Sequence, residues 1–203
     1  MHAITAVILA GGAGTRVGGR DKGLIEHEGA PLVEHVRRRL AHQVSRLWIS
    51  ANRNLDRYAP YGERVFADER EADDGPAQRE LLGRVHRGDY AGPLSGIATA
   101  LAACESEFLL TVPVDTIEFP DDLAARLLAA MDSPEVSIAV AHDGARRQPL
   151  FALYRRDIAQ AARAAARSDD NGVWRFQDRH GAREVAFDGA RFENLNVISA
   201  PDT

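Results

Sequence analysis

The sequence of 203 residues has little cysteine, no surplus of positive charge and no long apolar run. Its one cysteine, Cys104, excludes an internal disulfide and a cluster of thiolate metal ligands. Lysine and arginine total 25 against 30 acidic residues, and the net charge of −5 argues against a general nucleic-acid binder. The apolar run 6–10 is too short to span a bilayer, and no basic segment precedes a long apolar stretch. We therefore expect a soluble cytoplasmic protein that binds neither nucleic acid nor membrane.

The composition is that of an ordinary globular protein. Hydrophobic residues make up 45% and charged residues 27%, which excludes a wholly disordered chain. The length favours one domain, and no internal repeat or proline- or serine-rich linker divides the chain. We interpret residues 1–203 as a single domain, with the polar stretch 69–91 as a surface excursion from it.

Short apolar segments alternate with helical patterns along most of the chain. Segment 3–9, AITAVIL, is apolar on both faces, as is typical of a central parallel strand. Further strands are predicted at 47–50, 63–67, 108–112, 136–141 and 149–154, and helices from 31 onward and at 93–103, 123–131 and 158–166. The alternation predicts a three-layer α/β sandwich with a mostly parallel sheet. The dipeptide Asp143-Gly144 predicts a hairpin and hence a mixed sheet.

A glycine-rich loop is the strongest local signal. Five glycines lie between positions 11 and 19, directly after the first predicted strand, and glycine lets backbone amides approach an anion closely. Arg16, Arg20 and Lys22 add positive charge to the same segment. The spacing fits neither a P-loop, because Arg20 stands where lysine is required, nor the dinucleotide fingerprint, which fails at Val17. We interpret the loop as a polyphosphate-binding segment, with a flexible surface loop as the alternative.

An aspartate follows another predicted strand. Asp115 comes after strand 108–112, so it would lie at the same edge of the sheet as the glycine loop. A carboxylate there can help bind Mg²⁺ on triphosphate oxygens. The alternative is a capping residue for the helix that starts near Pro120. Asp121 and Asp122 fit that capping role better, which favours Asp115 as a metal ligand.

Asp68 admits two interpretations. It ends the third predicted strand. It also heads an acidic run with Glu69, Glu71, Asp73 and Asp74, whose last three members we interpret as a solvated loop. The sequence pattern alone leaves open whether Asp68 belongs to this loop or to a binding site.

Ordered motifs along the chain resemble those of the molybdenum cofactor guanylyltransferases, which are MobA-like nucleotidyltransferases. The most specific is the loop Leu9-Ala10-Gly11-Gly12 with Thr15-Arg16, Gly18-Gly19 and Asp21-Lys22-Gly23-Leu24. The remaining matches are Gly29-x-Pro31-Leu32, Ala51-Asn52-Arg53, Asp68, Gly92-Pro93-Leu94-x-Gly96-Ile97, Pro113-x-Asp115-Thr116, Pro120-x-Asp122-Leu123 and Phe192-x-Asn194-x-Asn196. The resemblance implies a Rossmann-like α/β/α nucleotidyltransferase fold that transfers GMP from Mg-GTP to molybdenum-bound molybdopterin and releases pyrophosphate.

The resemblance also implies catalytic roles for three residues. Asp115 would bind Mg²⁺, Lys22 would contact the phosphates, and Arg16 would steady the leaving pyrophosphate. The family often has cysteine before this aspartate, where the present chain has Val114. Because the carboxylate itself is kept, we expect little effect of that difference.

A larger set of residues is implied in binding the nucleotide or the pterin. The nucleotide contacts would come from Leu9, Ala10, Gly11, Gly12, Lys22, Ser50, Asn52, Asp68, Gly92, Pro93, Leu94 and Asp115. Ser50 stands where the family often has asparagine, so Asn52 is the alternative for that contact. Asn194 and Asn196 would lie near the pterin side of the cleft.

The implied substrates are GTP and molybdenum-molybdopterin, with Mg²⁺ as cofactor and with transient contacts to molybdopterin-loading proteins and apo-molybdoenzymes. One alternative is a cytidylyltransferase acting on the same pterin, although its loop usually reads Leu-Ala-Ala-Gly where this chain has Gly11 and Gly12. A sugar-1-phosphate nucleotidyltransferase would normally need a longer chain. A non-catalytic module that delivers the cofactor is the third alternative, and the presence of both Lys22 and Asp115 argues against it.

Overall fold

The computed structural model describes residues 3–11, 21–68, 92–192 and 194–195. Its strands are β1 (Ile4–Leu9), β2 (Glu26–His27), β3 (Ala30–Pro31), β4 (Arg46–Ser50), β5 (Arg64–Phe66), β6 (Phe108–Pro113), β7 (Ile138–His142), β8 (Arg147–Arg155) and β9 (Arg183–Ala186). Its α-helices are α1 (Leu32–Leu40), α2 (Leu55–Tyr58), α3 (Pro93–Ala103), α4 (Leu123–Ala129), α5 (Ala159–Ala166) and α6 (Val173–Arg179). Short 3-10 turns cover Lys22–Leu24, Ala59–Tyr61 and Arg156–Ile158.

The described strands form one seven-stranded sheet and a small hairpin of β2 and β3. The strand order in the sheet is β5-β4-β1-β6-β8-β7-β9. Strands β5, β4, β1 and β6 run parallel, and β8 is antiparallel to both of its neighbours. The mostly parallel, mixed sheet predicted from the sequence is therefore confirmed.

The turn between β7 and β8 explains why the sheet is mixed. The Asp143 Oδ1 atom accepts hydrogen bonds from the backbone N–H groups of Ala145 and Arg146, at 2.8 Å each. Gly144 has φ +95°, a left-handed conformation that glycine adopts without a steric penalty. The predicted Asp-Gly hairpin is thus confirmed, and it returns the chain beside β6 as β8.

Helices cover both faces of the sheet. Successive side chains of a strand point to opposite faces, so Ala6 and Ile8 of β1 join one core cluster while Val7 joins the other. Helices α1 and α4 pack in the first cluster, and α3, α5 and α6 pack in the second. The three-layer α/β/α sandwich predicted from the sequence is confirmed.

Helix α1 shows how the apolar pattern positions an element. Leu32, Val33, Val36 and Leu40 recur at helical spacing and are all buried. Pro31 precedes the first helical residue, where its fixed φ is compatible with the helix start. The helical spacing of apolar residues also includes Val44, but α1 ends at Leu40, so the extension of the helix to Val44 is wrong.

Some expectations extend beyond the described residues. The predicted surface excursion, residues 69–91, lies outside them, and the single-domain interpretation stays a prediction. Within the described ranges, none of the helices combines enough length and apolar character to cross a membrane.

Candidate active site at the carboxyl edge of the sheet

The parallel strands β1, β4 and β6 end next to one another at one edge of the sheet. Just past these ends, the Ala10 N–H donates to the Ser50 carbonyl at 2.8 Å, and the Val114 N–H donates to the Leu9 carbonyl at 3.2 Å. Ligands of open α/β sheets bind at this edge, beyond the carboxyl ends of the strands. The predicted nucleotide-binding residues Leu9, Ala10 and Gly11 therefore lie at the carboxyl edge of the sheet.

An ion pair occupies the middle of this edge. The Lys22 Nζ atom donates to the Asp115 Oδ2 atom at 2.7 Å, and both side chains are about one-quarter exposed (27% and 24%). Lys22 begins the 3-10 turn after the glycine-rich loop, and Asp115 follows β6. The helix that Asp115 could have capped begins instead after Asp122. The structure thus joins the two predicted catalytic residues that it describes.

The residue before Lys22 anchors this turn. The Asp21 carboxylate is only 6% exposed and accepts hydrogen bonds from the Tyr58 hydroxyl at 2.5 Å and from Asn54 Nδ2 at 2.9 Å. Burial and the hydrogen bond to Asp21 both raise the pKa of the Tyr58 phenol above its ordinary value. Tyr58 is therefore a hydrogen-bond donor to Asp21 at neutral pH.

A second polar cluster lies beside the ends of β4 and β5. The buried Asp68 carboxylate accepts hydrogen bonds from Ser50 Oγ at 2.8 Å and from Asn52 Nδ2 at 2.9 Å. The Asp68 N–H in turn donates to Asn52 Oδ1 at 3.0 Å. Asp68 is therefore part of this buried cluster and not of a solvated loop, and Ser50 and Asn52 both contact it.

Two glycines allow the backbone to approach this cluster closely. A Cβ atom at Gly96 in α3 would lie 2.6 Å from Ser50 Oγ and 2.9 Å from Asp68 Oδ1. A Cβ atom at Gly11 would lie 3.0 Å from Asn52 Nδ2. Glycine at these positions lets helix α3 and the end of β1 close in on the Asp68 cluster from two sides.

Helix α3 begins at the predicted Gly92-Pro93-Leu94 turn. Gly92 has φ +79°, which favours glycine, and Pro93 is the first helical residue. The Leu94 side chain is fully buried in the core, so Leu94 can offer a ligand only its backbone.

Asn194 lies next to the metal-ligand candidate. Its Oδ1 atom accepts a hydrogen bond from the Thr116 hydroxyl at 2.6 Å, and the following Leu195 N–H donates to the Asp115 carbonyl at 2.7 Å. The exposed Asn194 side chain is therefore held at the same edge as Asp115. Three further predicted site residues, Gly12, Arg16 and Asn196, lie outside the described residues.

The structure brings to this edge of the sheet residues for which the sequence pattern predicted no role. Tyr58 and Asn54 reach Asp21 from α2 and its cap, and no motif around them indicated this contact. Asp21 and Gly96 lie within the motifs shared with the family, but the sequence pattern predicted no contact for either. Their contacts depend on how α2 and α3 pack, which the sequence pattern does not specify.

Comparison with known proteins identifies the family to which this chain belongs. A model of the MobA-like NTP transferase domain matches residues 6–185. A molybdenum cofactor guanylyltransferase of Acidovorax ebreus is 41% identical and aligns over 98% of this chain and 93% of its own length. One of Mannheimia succiniciproducens is 38% identical, over 98% of this chain and 96% of its own.

Solved structures share the fold at lower identity. Molybdopterin-guanine dinucleotide biosynthesis protein A of Archaeoglobus fulgidus superposes with a TM-score of 0.65 at 17% identity, covering 91% of this chain and 83% of its own. Rv0371C of Mycobacterium tuberculosis, solved in complex with manganese, gives 0.67 at 19% identity, covering 95% and 92%. At these identities the likeness establishes the fold.

Proposed function

Since the chain belongs to the MobA-like NTP transferases, and within them to the molybdenum cofactor guanylyltransferases, we propose that it transfers GMP from GTP to molybdenum-bound molybdopterin. The observation that carries this proposal is the near-full-length likeness to guanylyltransferases, 35% identical in Shewanella pealeana and 41% in Acidovorax ebreus. The Lys22–Asp115 pair at the carboxyl edge of the sheet supports it, because it offers a cation for phosphates and a carboxylate for a metal ion.

The chemistry requires neutralisation of charge more than a strong base. The terminal phosphate of molybdopterin is already an anion, and one of its oxygens forms a bond to the α-phosphorus of GTP. The bond between the α-phosphorus and the bridging oxygen then breaks, and pyrophosphate leaves with that oxygen. Lys22 would hold the phosphates and offset the repulsion between two anions, and the backbone N–H groups of the glycine-rich loop would orient them. No covalent enzyme intermediate is needed.

Asp115 suits a metal ion that arrives with the nucleotide. Among the described residues no group of three His, Cys, Asp or Glu side chains could hold a metal ion by itself. Mg²⁺ is usually held by one or two carboxylates together with substrate phosphates and water, and the partly exposed Asp115 carboxylate fits that donor set. When bound, Mg²⁺ would supply positive charge to the triphosphate, with Asp115 as its protein ligand.

The Asp68 cluster suits the guanine base. Guanine presents neighbouring N–H donors on its Watson–Crick edge, and a carboxylate accepts such donors. Asp68 keeps further acceptor capacity beside its bonds to Ser50 and Asn52, because each carboxylate oxygen has two lone pairs. We assign Asp68 to base recognition, and the Gly92 turn to backbone contacts with the nucleotide. Asn194, close to Asp115, would face the pterin.

The test is pyrophosphate release from molybdenum-loaded molybdopterin and Mg²⁺, with GTP, CTP and ATP in parallel. Release with GTP alone is expected. A preference for CTP would instead identify a cytidylyltransferase with the same fold and overturn the assignment of Asp68 to guanine. Silence with all three nucleotides, from folded protein and verified cofactor, would favour a module that delivers the cofactor. Contacts with molybdopterin-loading proteins and apo-molybdoenzymes, and a cytoplasmic location, stay predictions.

A further inference from the structure

We infer that Asp21 and Tyr58 are positioning residues that hold Lys22 in place for the nucleotide phosphates. The inference rests on the proposed function, because it deepens the role of Lys22 in the same site. Neither side chain needs to touch the substrate. Their effect passes through the turn that carries Lys22.

A flexible lysine needs such a support. Its four-carbon side chain loses much rotamer entropy when its ammonium group is held at one point. Catalysis by positioning nevertheless requires that charge to stand at a set distance from the phosphates. The Asp115 carboxylate holds the ammonium end in the free protein, but phosphates and a metal ion compete for both partners once GTP binds. Lys22 is then held in position by its backbone.

The backbone around Lys22 is fixed by its two neighbours in sequence. Asp21 is tied to α2 through the Tyr58 hydroxyl and Asn54, and Arg53 Nε lies 3.7 Å from the same carboxylate. Gly23 is pressed against the same phenol, since a Cβ atom there would lie 2.4 Å from Tyr58 Oη. Tyr58 therefore contacts the residue on each side of Lys22.

Segment 52–58, which contains Asn54 and Tyr58, also reaches the Asp68 cluster assigned to the guanine base. Asn52, at its start, bonds to Asp68, while Asn54 and Tyr58, further along, bond to Asp21. One short stretch after β4 thus spans the carboxylate assigned to guanine and the turn assigned to the phosphates. The spacing between these two halves of the nucleotide site is set by segment 52–58.

The first variant to measure is Tyr58→Phe, which removes the hydroxyl and keeps the buried ring. We expect kcat/KM for GTP to fall on the order of tenfold, because a hydrogen bond to a charged group is lost. Tyr61→Phe, the same change in the following 3-10 turn, is the matched control and should leave kcat/KM unchanged. A Tyr58→Phe enzyme with wild-type kcat/KM would overturn the inference.

A double-mutant cycle separates positioning from general loss of structure. If Tyr58 acts through Lys22, Tyr58→Phe should lower kcat/KM little further once Lys22→Ala is present. If instead the two losses multiply, Tyr58 acts independently of Lys22 and the inference fails. Asp21→Asn, which keeps an acceptor for the Tyr58 hydroxyl, should retain more activity than Asp21→Ala. Equal losses of activity in these two variants would also contradict the inference.

Calorimetric titration with Mg-GTP gives a readout that does not depend on turnover. The proteins to titrate are the wild type, Tyr58→Phe, Lys22→Ala and the variant that carries both changes. If the wild type binds GTP but transfers no GMP, the proposed reaction fails, and the cycle in GTP affinity still decides whether Tyr58 acts through Lys22. If the wild type binds no GTP, a crystal structure of Tyr58→Phe decides instead. A displaced Lys22 backbone would then support the inference, and an unchanged one would overturn it.

Discussion

Lys22 and Asp115 stand 93 positions apart in the sequence, and their charged groups meet at 2.7 Å. Each side chain follows a different central strand, β1 or β6, and these strands are neighbours in the sheet. In the free protein the two charges compensate each other, which lowers the cost of keeping them partly buried. The pair therefore presents a cation and a carboxylate side by side at the edge of the sheet, as the proposed function requires.

Replacing Asp115 by Asn should lower GMP transfer by at least about a hundredfold, because the variant keeps the side-chain shape and loses the metal-binding charge. The thermal midpoint should change little. Asp121→Asn is the matched control, since Asp121 is an exposed aspartate in the loop before α4 that pairs with Arg39. Pyrophosphate release measures both variants. Near-normal turnover of Asp115→Asn would refute the metal assignment.

Removal of divalent metal ions should abolish turnover without destabilising the free protein. The proposed protein ligand is the single, partly exposed Asp115 carboxylate, and such a site takes Mg²⁺ together with substrate phosphates, so the ion should enter with GTP. Differential scanning fluorimetry checks this expectation. Mg²⁺ should raise the melting temperature when GTP is present and leave it unchanged without GTP. A large loss of stability on adding EDTA to the free protein would reveal a resident metal ion instead.

The contact between α3 and the Asp68 cluster makes Gly96 sensitive to a single methyl group. Gly96→Ala should destabilise the protein by about 1–3 kcal/mol and weaken GTP binding, because Ser50 and Asp68 are buried and have to move. Gly172→Ala is the control, with φ −71° and its nearest side-chain atom 3.9 Å away. It should change stability by less than about 1 kcal/mol. Urea unfolding and GTP titration of both variants distinguish the two cases.

Glu34 should make part of the stability depend on pH. Its hydrogen bond to Arg37, with further help from Arg38, lowers the pKa of the Glu34 carboxyl to about 2. A lowered pKa means that the ion pairs stabilise the fold above about pH 4.5 and that this contribution fades as pH falls toward 2. Glu34→Gln should therefore cost about 1 kcal/mol at pH 7, the size of a strong surface pair, and progressively less below pH 4.5.

Urea unfolding of Glu34→Gln and wild type at pH 7, 4.5 and 3 measures this difference. Glu63→Gln, at an exposed position before β5, is the control and should show a pH-independent difference. A gap between wild type and Glu34→Gln that stays constant down to pH 3 would contradict the assignment of the stabilisation to the ion pairs.

Much of the fold could be predicted because the burial of side chains requires apolar residues at recognisable positions along the sequence. Strand β1 is apolar on both faces because helices cover both sides of the sheet, and Asp143-Gly144 marks a turn that requires positive φ. The short strand β9 and the helix α6 were not predicted from the sequence. Their patterns are weak, since β9 has mostly exposed side chains and α6 spans two turns.

The pattern of residues by itself determined the sheet, its glycine-rich edge and the two residues whose charges suit phosphate and metal. These are local or periodic signals, and the ordered motifs added the family and the expected reaction. Only the tertiary structure decided that Lys22 meets Asp115, that Asp68 joins Ser50 and Asn52, and that Tyr58 anchors Asp21. The physical reason is that these contacts join residues from separate elements, so their partners are selected by how the strands and helices pack and not by spacing along the chain.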